Sequence, residues 1–290
     1  MIKEPDSYWW YITVAAEEKQ EEILHSLAEI SGGIGSEMQE LPEGARVRIY
    51  YRADREISHW REQLLIAMEP WTGIRVEDIG KIENQQWNVQ CEEAFPPLSI
   101  GKNLVVLAPW HKGEEPKEKI PLYINPGSAF GTGYHESTQI ALELLEKYLR
   151  KQSRVLDVGT GSGILSIAAY KMGASSVCAR DIDPIAIDEV RHNLELNEIE
   201  EKSIVLEEAD LLVGFEGQVD ALIANILFDV LLPMLPDVKA ILSPGGTAFF
   251  SGLILSERQR FIAGLKEAGL CVLDERSKEE WWGVAAQVAP

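Results

Sequence analysis

Three short stretches of this chain carry residue types whose spacing could do chemistry. In "RVLDVGTGSGILSIAAYKMGA" an apolar run meets Gly159, Gly161 and Gly163 and then continues as a helical pattern. Glycines in such a turn let the backbone approach a ligand closely, and the free amides at a helix N-terminus favour a negatively charged group. The spacing is G-x-G-x-G; a dinucleotide fingerprint needs a third glycine at 164, where this chain has Ile. Asp181 and Asp183 follow in "RDIDP". An acidic side chain at the end of a second strand can accept hydrogen bonds from both hydroxyls of a ribose. Asp181 has the better placement, since Asp183 precedes Pro184 and suits the cap of the next helix. Asp210, in "EADL", could accept from an adenine amino group or solvate its own loop. Asn225, in "ANIL", stands at the C-terminal end of a fourth strand, the edge on which open α/β sheets bind ligands. Its amide oxygen could accept from a substrate amine and aim the lone pair; the alternative is a plain strand-end turn. The third stretch, "NPGSAFGTGYHEST" at 125–138, gathers glycines, a proline, Phe130, His135 and a hydroxyl cluster just before a helical run.

These residues need elements to hold them. After the glycine turn, "SVCARDID", "SIVLEEAD", "VDALIANIL" and "GTAFFSG" read as further strands, with "PIAIDEVRHNLELN" a helix opened by a proline. "LCVLDERSKEEWWGVAAQV" reads as two strands joined by a polar turn, so the last runs antiparallel to its neighbour. The alternation predicts an α/β fold with a mainly parallel sheet over 125–290. The N-terminal third reads βαββαβ, a ferredoxin-like α+β arrangement expected to occupy 1–75. Its first helix places Ile23, Leu27 and Ile30 on one face, its second Ile57, Trp60, Leu64 and Met68, and Trp9, Trp10 and Trp60 suit core packing. From 76 to 124 a linker is expected, with one or two short strands such as "NLVVLAPW".

Composition narrows the class. At 290 residues two domains are the default, and 46% apolar with 26% charged residues suits a globular protein with a sizeable core. No apolar run is long enough to cross a membrane, and "MIKEPDSYWWY" lacks the pattern of an export signal. Cys91, Cys178 and Cys271 are too far apart for a disulfide framework or a zinc site, so a cytoplasmic protein without metal is expected. A net charge of −20 repels nucleic-acid backbones and suits a basic protein partner, or simply keeps the surface soluble.

Asp157 in "VLDVG" followed by the G-x-G-x-G turn resembles the first motif of class I S-adenosylmethionine (AdoMet) methyltransferases. Together with "DIDP", "ANIL" and "NPGSAFGTGYHEST", it closely resembles the PrmA family, which methylates bacterial ribosomal protein L11; the likeness is strong from about 84 to 290. Relatives that act on glutamine or nucleobase amides carry an Asn-Pro-Pro-Tyr-like tetrapeptide in place of "ANIL". The resemblance implies a Rossmann-like domain with a seven-stranded sheet, AdoMet as cofactor, and lysine side chains and the N-terminal amine of L11 as acceptors. The small N-terminal domain would hold the substrate, and a monomer is expected. By position Thr138, Gly159, Asp181 and Asn225 correspond to the family's AdoMet contacts, with Asp157, Gly161, Gly163 and Asp210 beside them. Asn225, His135 and Phe130 are the expected catalytic set, His135 as proton acceptor or positioning group. Phe130 and Phe228 could wall the amine pocket or pack in the core. Ser137 and Thr160 depart from the family, which more often has threonine and cysteine there; Cys91 and the lack of a basic residue near Phe95 bear on substrate docking. A same-fold enzyme acting on another amine, RNA or a small molecule, or a noncatalytic AdoMet-binding module, are the other readings. The missing third glycine disfavours a dehydrogenase.

Overall fold

The structure is a computed structural model that describes residues 8–16, 21–41, 44–83, 95–126 and 131–288. Phe130 and Cys91 lie outside the described residues. The chain divides into two compact units, Met1–Ala94 and Phe95–Pro290.

In the first unit the expected βαββαβ order is present: β1 Tyr8–Ala16, α1 Glu21–Ile30, β2 Gly35–Leu41, β3 Gly44–Tyr51, α2 Ile57–Met68 and β4 Ile74–Glu83. The sheet runs β2-β3-β1-β4, each neighbouring pair antiparallel. Alternation along β1 sends Ile12 and Val14 to one side, where Leu24, Leu27 and Leu64 of the helices meet them with Val47 and Ile49 of β3. Trp10 and Trp60 pack against this core, and each indole N–H finds a carbonyl, Arg55 O and Arg52 O respectively. Ile30 does not join the buried face. It ends α1 at 69% exposure, because the stripe closes at Leu27 and Ala28 one turn earlier.

The expected linker at 76–124 is divided between the two units. Residues to 83 complete β4 of the first sheet. Beyond 95 a separate three-stranded sheet forms, β5 Leu98–Ile100, β6 Leu104–Leu107 and β7 Ile120–Tyr123, with every residue of β6 buried. The strand expected within "NLVVLAPW" is β6, and Leu104, Val106 and Leu122 belong to the main core of the second unit.

That unit is built on a seven-stranded sheet. Its strands are β8 Arg154–Val158, β9 Ser176–Asp181, β10 Val205–Glu208, β11 Val219–Asn225, β12 Leu242–Ile254, β13 Leu270–Lys278 and β14 Trp281–Val288. The order is β10-β9-β8-β11-β12-β14-β13; the first five are parallel, and β14 lies antiparallel between β12 and β13. The helices are α3 Glu136–Tyr148, α4 Ile164–Lys171, α5 Pro184–Leu196, α6 Phe228–Ile241 and α7 Arg258–Glu267. Successive strand residues serve opposite faces. Val155, Ile223 and Phe249 pack with α3, α4 and α5, while Leu156, Leu222 and Phe250 pack with α6 and α7. With both faces covered, the C-terminal strand ends are left as the place for a ligand.

Candidate active site

The glycine turn follows β8 directly. Gly159 and Thr160 donate their amides to Arg180 O of β9 at 2.9 and 3.0 Å, which bends the chain across the strand ends. All three glycines have positive φ, of +69°, +54° and +79° for Gly159, Gly161 and Gly163, a conformation that excludes most side chains. Their duties differ. Gly159 and Gly161 line a cavity of about 640 Å³, whereas Gly163 caps α4 with a Cβ-sized space filled by Val190 at 2.9 Å.

Asp181 and Asp210 place two carboxylates in the same cavity. Asp181 Oδ2 accepts from Gly161 N at 2.9 Å and Oδ1 from Asp183 N at 3.1 Å, so the side chain is held at the end of β9 with lone pairs to spare. Asp183 takes the other role open to it. Its Oδ1 accepts from Ile185 N at 2.8 Å as the N-cap of α5. Ile182 and Leu227, about two-thirds exposed, give the cavity apolar walls broad enough for a planar ring.

Asn225 closes β11 and also lines the cavity. Nδ2 donates to Thr138 Oγ1 at 3.3 Å, which turns the amide so that Oδ1 is left over. That oxygen is buried and has no hydrogen-bond partner among the described residues. Leaving such an acceptor unpaired costs about 1 to 3 kcal/mol, which a ligand N–H would recover.

Thr138 and Asp157, with Gly163, stand behind the wall. Thr138 is fully buried on α3 and is linked to the cavity through Asn225. Asp157 is fully buried on β8, its Oδ2 accepting from Thr160 Oγ1 at 2.8 Å and Ser166 Oγ at 2.7 Å, while Oδ1 is unpaired. Burial pushes its carboxyl up to about 6, the two hydroxyls pulling the other way. A carboxyl raised in the fold contributes stability that is fully present below its unfolded value and lost as pH rises through 6. The stability of wild type minus that of Asp157→Asn, from chemical denaturation, should therefore grow by about 2 to 3 kcal/mol between pH 7 and pH 4, at about 1.4 kcal/mol per unit. An equal difference at both pH values would rule out a buried carboxyl titrating there.

His135 is the N-cap of α3. Its Nδ1 accepts from Ser137 N at 3.2 Å, Ser137 Oγ lies 2.8 Å away, and the ring stands edge-on to Trp281 with centroids 4.4 Å apart. The cap gives this histidine a structural duty, and Trp281 connects it to the cavity lining. Phe228 belongs to the core against Phe261, under the Arg260 guanidinium, and does not wall the cavity.

The sequence reading missed Trp281, Ile226 and Gly252. "EEWWGV" held a usable signal: in a strand, adjacent tryptophans must face opposite sides. Trp282 is 1% exposed in the core, so Trp281 is turned to the other face.

A family model described as ribosomal protein L11 methyltransferase (PrmA) matches residues 9–288, thus both units. The chain belongs to the ribosomal protein L11 methyltransferase family. Among curated members, the ribosomal protein L11 methyltransferase of an Exiguobacterium species is 36% identical over 209 residues, 72% of this chain and 67% of the relative. That of Caldicellulosiruptor saccharolyticus is 37% identical over 210 residues, 72% and 68% of the two chains. A crystal structure of the ribosomal protein L11 methylase from Lactobacillus delbrueckii subsp. bulgaricus superposes with a TM-score of 0.64 at 32% identity, covering 68% of this chain and all of that one. The fold is accordingly that of a class I methyltransferase, a family that uses AdoMet.

Proposed function

We propose that this chain transfers methyl groups from AdoMet to lysine side-chain amines and the N-terminal amine of ribosomal protein L11. The observation that carries the reading is the buried, unpartnered Oδ1 of Asn225 on a cavity lined by Gly159, Gly161 and Asp181. The residues present fit the cofactor. Gly159 and Gly161 present bare backbone to the cavity, with Ile226 packed into the space a Gly159 side chain would need, and Asp181 stands where a ribose diol would be recognised.

AdoMet, when bound, supplies an electrophilic methyl group on a sulfonium. Asp181 would hold the ribose hydroxyls, and the Asp181 and Asp210 carboxylates would favour a cationic ligand over a neutral one. Asn225 Oδ1 accepts one N–H of the incoming amine and leaves the lone pair free to point along the line of displacement. An amine that gains a bond gains positive charge, so its N–H binds Asn225 more strongly in the transition state than before it. A lysine must first lose its proton, which costs about 4 kcal/mol near pH 7.5; an α-amine loses its proton far more easily. Apolar Ile226, Leu227 and Val230 line the cavity, which favours the neutral amine over its charged form. No general base is needed for this, and His135, tied up as a helix cap, is assigned a positioning role.

Mixing the protein with labelled AdoMet and L11 from cells lacking the enzyme should label L11 alone. Label on RNA or a small molecule instead would sink the reading. The Met1–Ala94 unit is proposed to recruit L11, because every residue assigned to the chemistry lies in Phe95–Pro290. A chain starting at residue 95 should then keep its AdoMet affinity within about threefold, yet lose most methylation of L11 at low substrate concentration, since tethering no longer raises the local concentration of its amines. Undiminished methylation would remove the recruiting role. The enzyme is further proposed to act as a monomer in the cytoplasm, without direct contact to nucleic acid; among the described residues no helix is long and apolar enough to cross a membrane.

A further inference from the structure

Two buried polar side chains outside the cavity make contacts that the mechanism above leaves unused. Ser162 sits in the glycine turn itself, 1% exposed, and Asn193 lies fully buried on α5. Ser162 Oγ donates to Gly131 O at 2.6 Å. Asn193 Nδ2 donates to Ser162 O at 2.8 Å, and Asn193 Oδ1 accepts from Asn125 N at 2.9 Å. One residue of the cofactor turn is thus bonded directly to residue 131 and, through a single asparagine, to residue 125.

The surrounding chain is shaped to allow this. Gly131 at φ +98° comes so near that an added Cβ would lie 3.2 Å from Ser162 Oγ, and at Gly133, φ +91°, it would meet Val106 at 2.8 Å and Ile164 at 3.0 Å. One turn along α5, on the same face, Asn197 repeats the device. It accepts from Tyr123 N at 3.0 Å and donates to Tyr123 O at 2.6 Å and Asn193 O at 2.7 Å. Asparagine is a poor helix former, so Asn193 within α5 is explained by the bonds it makes and not by helix stability, while Asn197 stands at the C-cap.

We propose that Ser162 and Asn193 are positioning residues for methyl transfer, a strut that sets Asn125, Gly131 and the start of α3, with His135 and Thr138, at a fixed distance from the cofactor turn. The inference rests on the methyltransferase reading given above. The Gly161–Asp181 bond does not pass through the strut, so the cofactor side can stay whole while the acceptor side drifts. A misplacement of about 1 Å is enough to cost on the order of 100-fold in rate.

The test is Ser162→Ala in the full chain, with AdoMet affinity from calorimetry and kcat at saturating AdoMet and L11. The expected result is a kcat lower by about tenfold or more with AdoMet affinity within about threefold, a split that loss of stability alone does not produce. Asn193→Ala should lower kcat similarly, and the double variant should fall further than either single one, because Ser162 Oγ holds Gly131 while Asn193 holds Asn125 through a separate pair of bonds. Ser162→Ala is the milder change, and its retained cofactor binding shows that it is folded. A wild type that methylates L11 beside a Ser162→Ala variant within twofold of it would overturn the strut alone. A wild type unable to methylate L11 would overturn the functional reading and the strut with it.

Discussion

Replacing Asn225 by alanine is expected to lower kcat by about 10- to 150-fold while changing AdoMet affinity by no more than about threefold. The magnitude follows from one hydrogen bond to a nitrogen that becomes charged, about 1.5 to 3 kcal/mol, at about 1.4 kcal/mol per factor of ten. The split follows from timing. The substitution also releases Thr138 Oγ1 from Nδ2, but Oδ1 has no partner among the described residues, so loss of this acceptor is felt only when an amine is present. Thr138→Val gives a smaller loss of the same kind, because it frees the Asn225 amide to rotate without deleting the acceptor. Steady-state rates at saturating AdoMet and L11, with separate calorimetry, decide the matter; equal kcat in Asn225→Ala and wild type would end the assignment.

The second large effect is on binding. Asp181→Ala should weaken AdoMet binding by about 1.5 to 3 kcal/mol, roughly 10- to 150-fold, through loss of charge-assisted bonds to the ribose. The loss includes an indirect part, since Oδ2 also holds Gly161 N at 2.9 Å and so shapes the turn that meets the ligand. Asp181→Asn separates the contributions when AdoMet and its neutral demethylated product are compared. If the carboxylate serves the ribose, both ligands weaken alike; if it serves the sulfonium, AdoMet alone suffers. Calorimetry showing unaltered affinity for Asp181→Ala would take the residue out of the cofactor site.

Much of this site was legible because its chemistry is local. The G-x-G-x-G turn, Asp181 at the end of β9 and Asn225 at the end of β11 each announce themselves within a few residues. What escaped was set at long range. Trp281 reaches the cavity because β14 slots in beside β12, a pairing between residues about thirty apart in sequence. Thr138 was read as touching the cofactor, but its distance from the cavity depends on how α3 packs against β11, which local spacing does not encode. Asp183 shows the reverse: a proline at the next position was enough to identify a cap. The stretch expected as a linker with one or two short strands holds three, because β5–β7 bury apolar residues against helices of the second unit that lie far along the chain.

The place of β14 has a consequence for how the enzyme is made. β12 is translated well before β14, yet its outer edge stays unpaired until residues 281–288 have left the ribosome and threaded in ahead of β13. The cavity is completed by the same event, because Trp281 is the first residue of that strand. A chain stalled or cut before residue 281 thus has an exposed strand edge, ready to stick to other chains, and a ligand site with one wall missing.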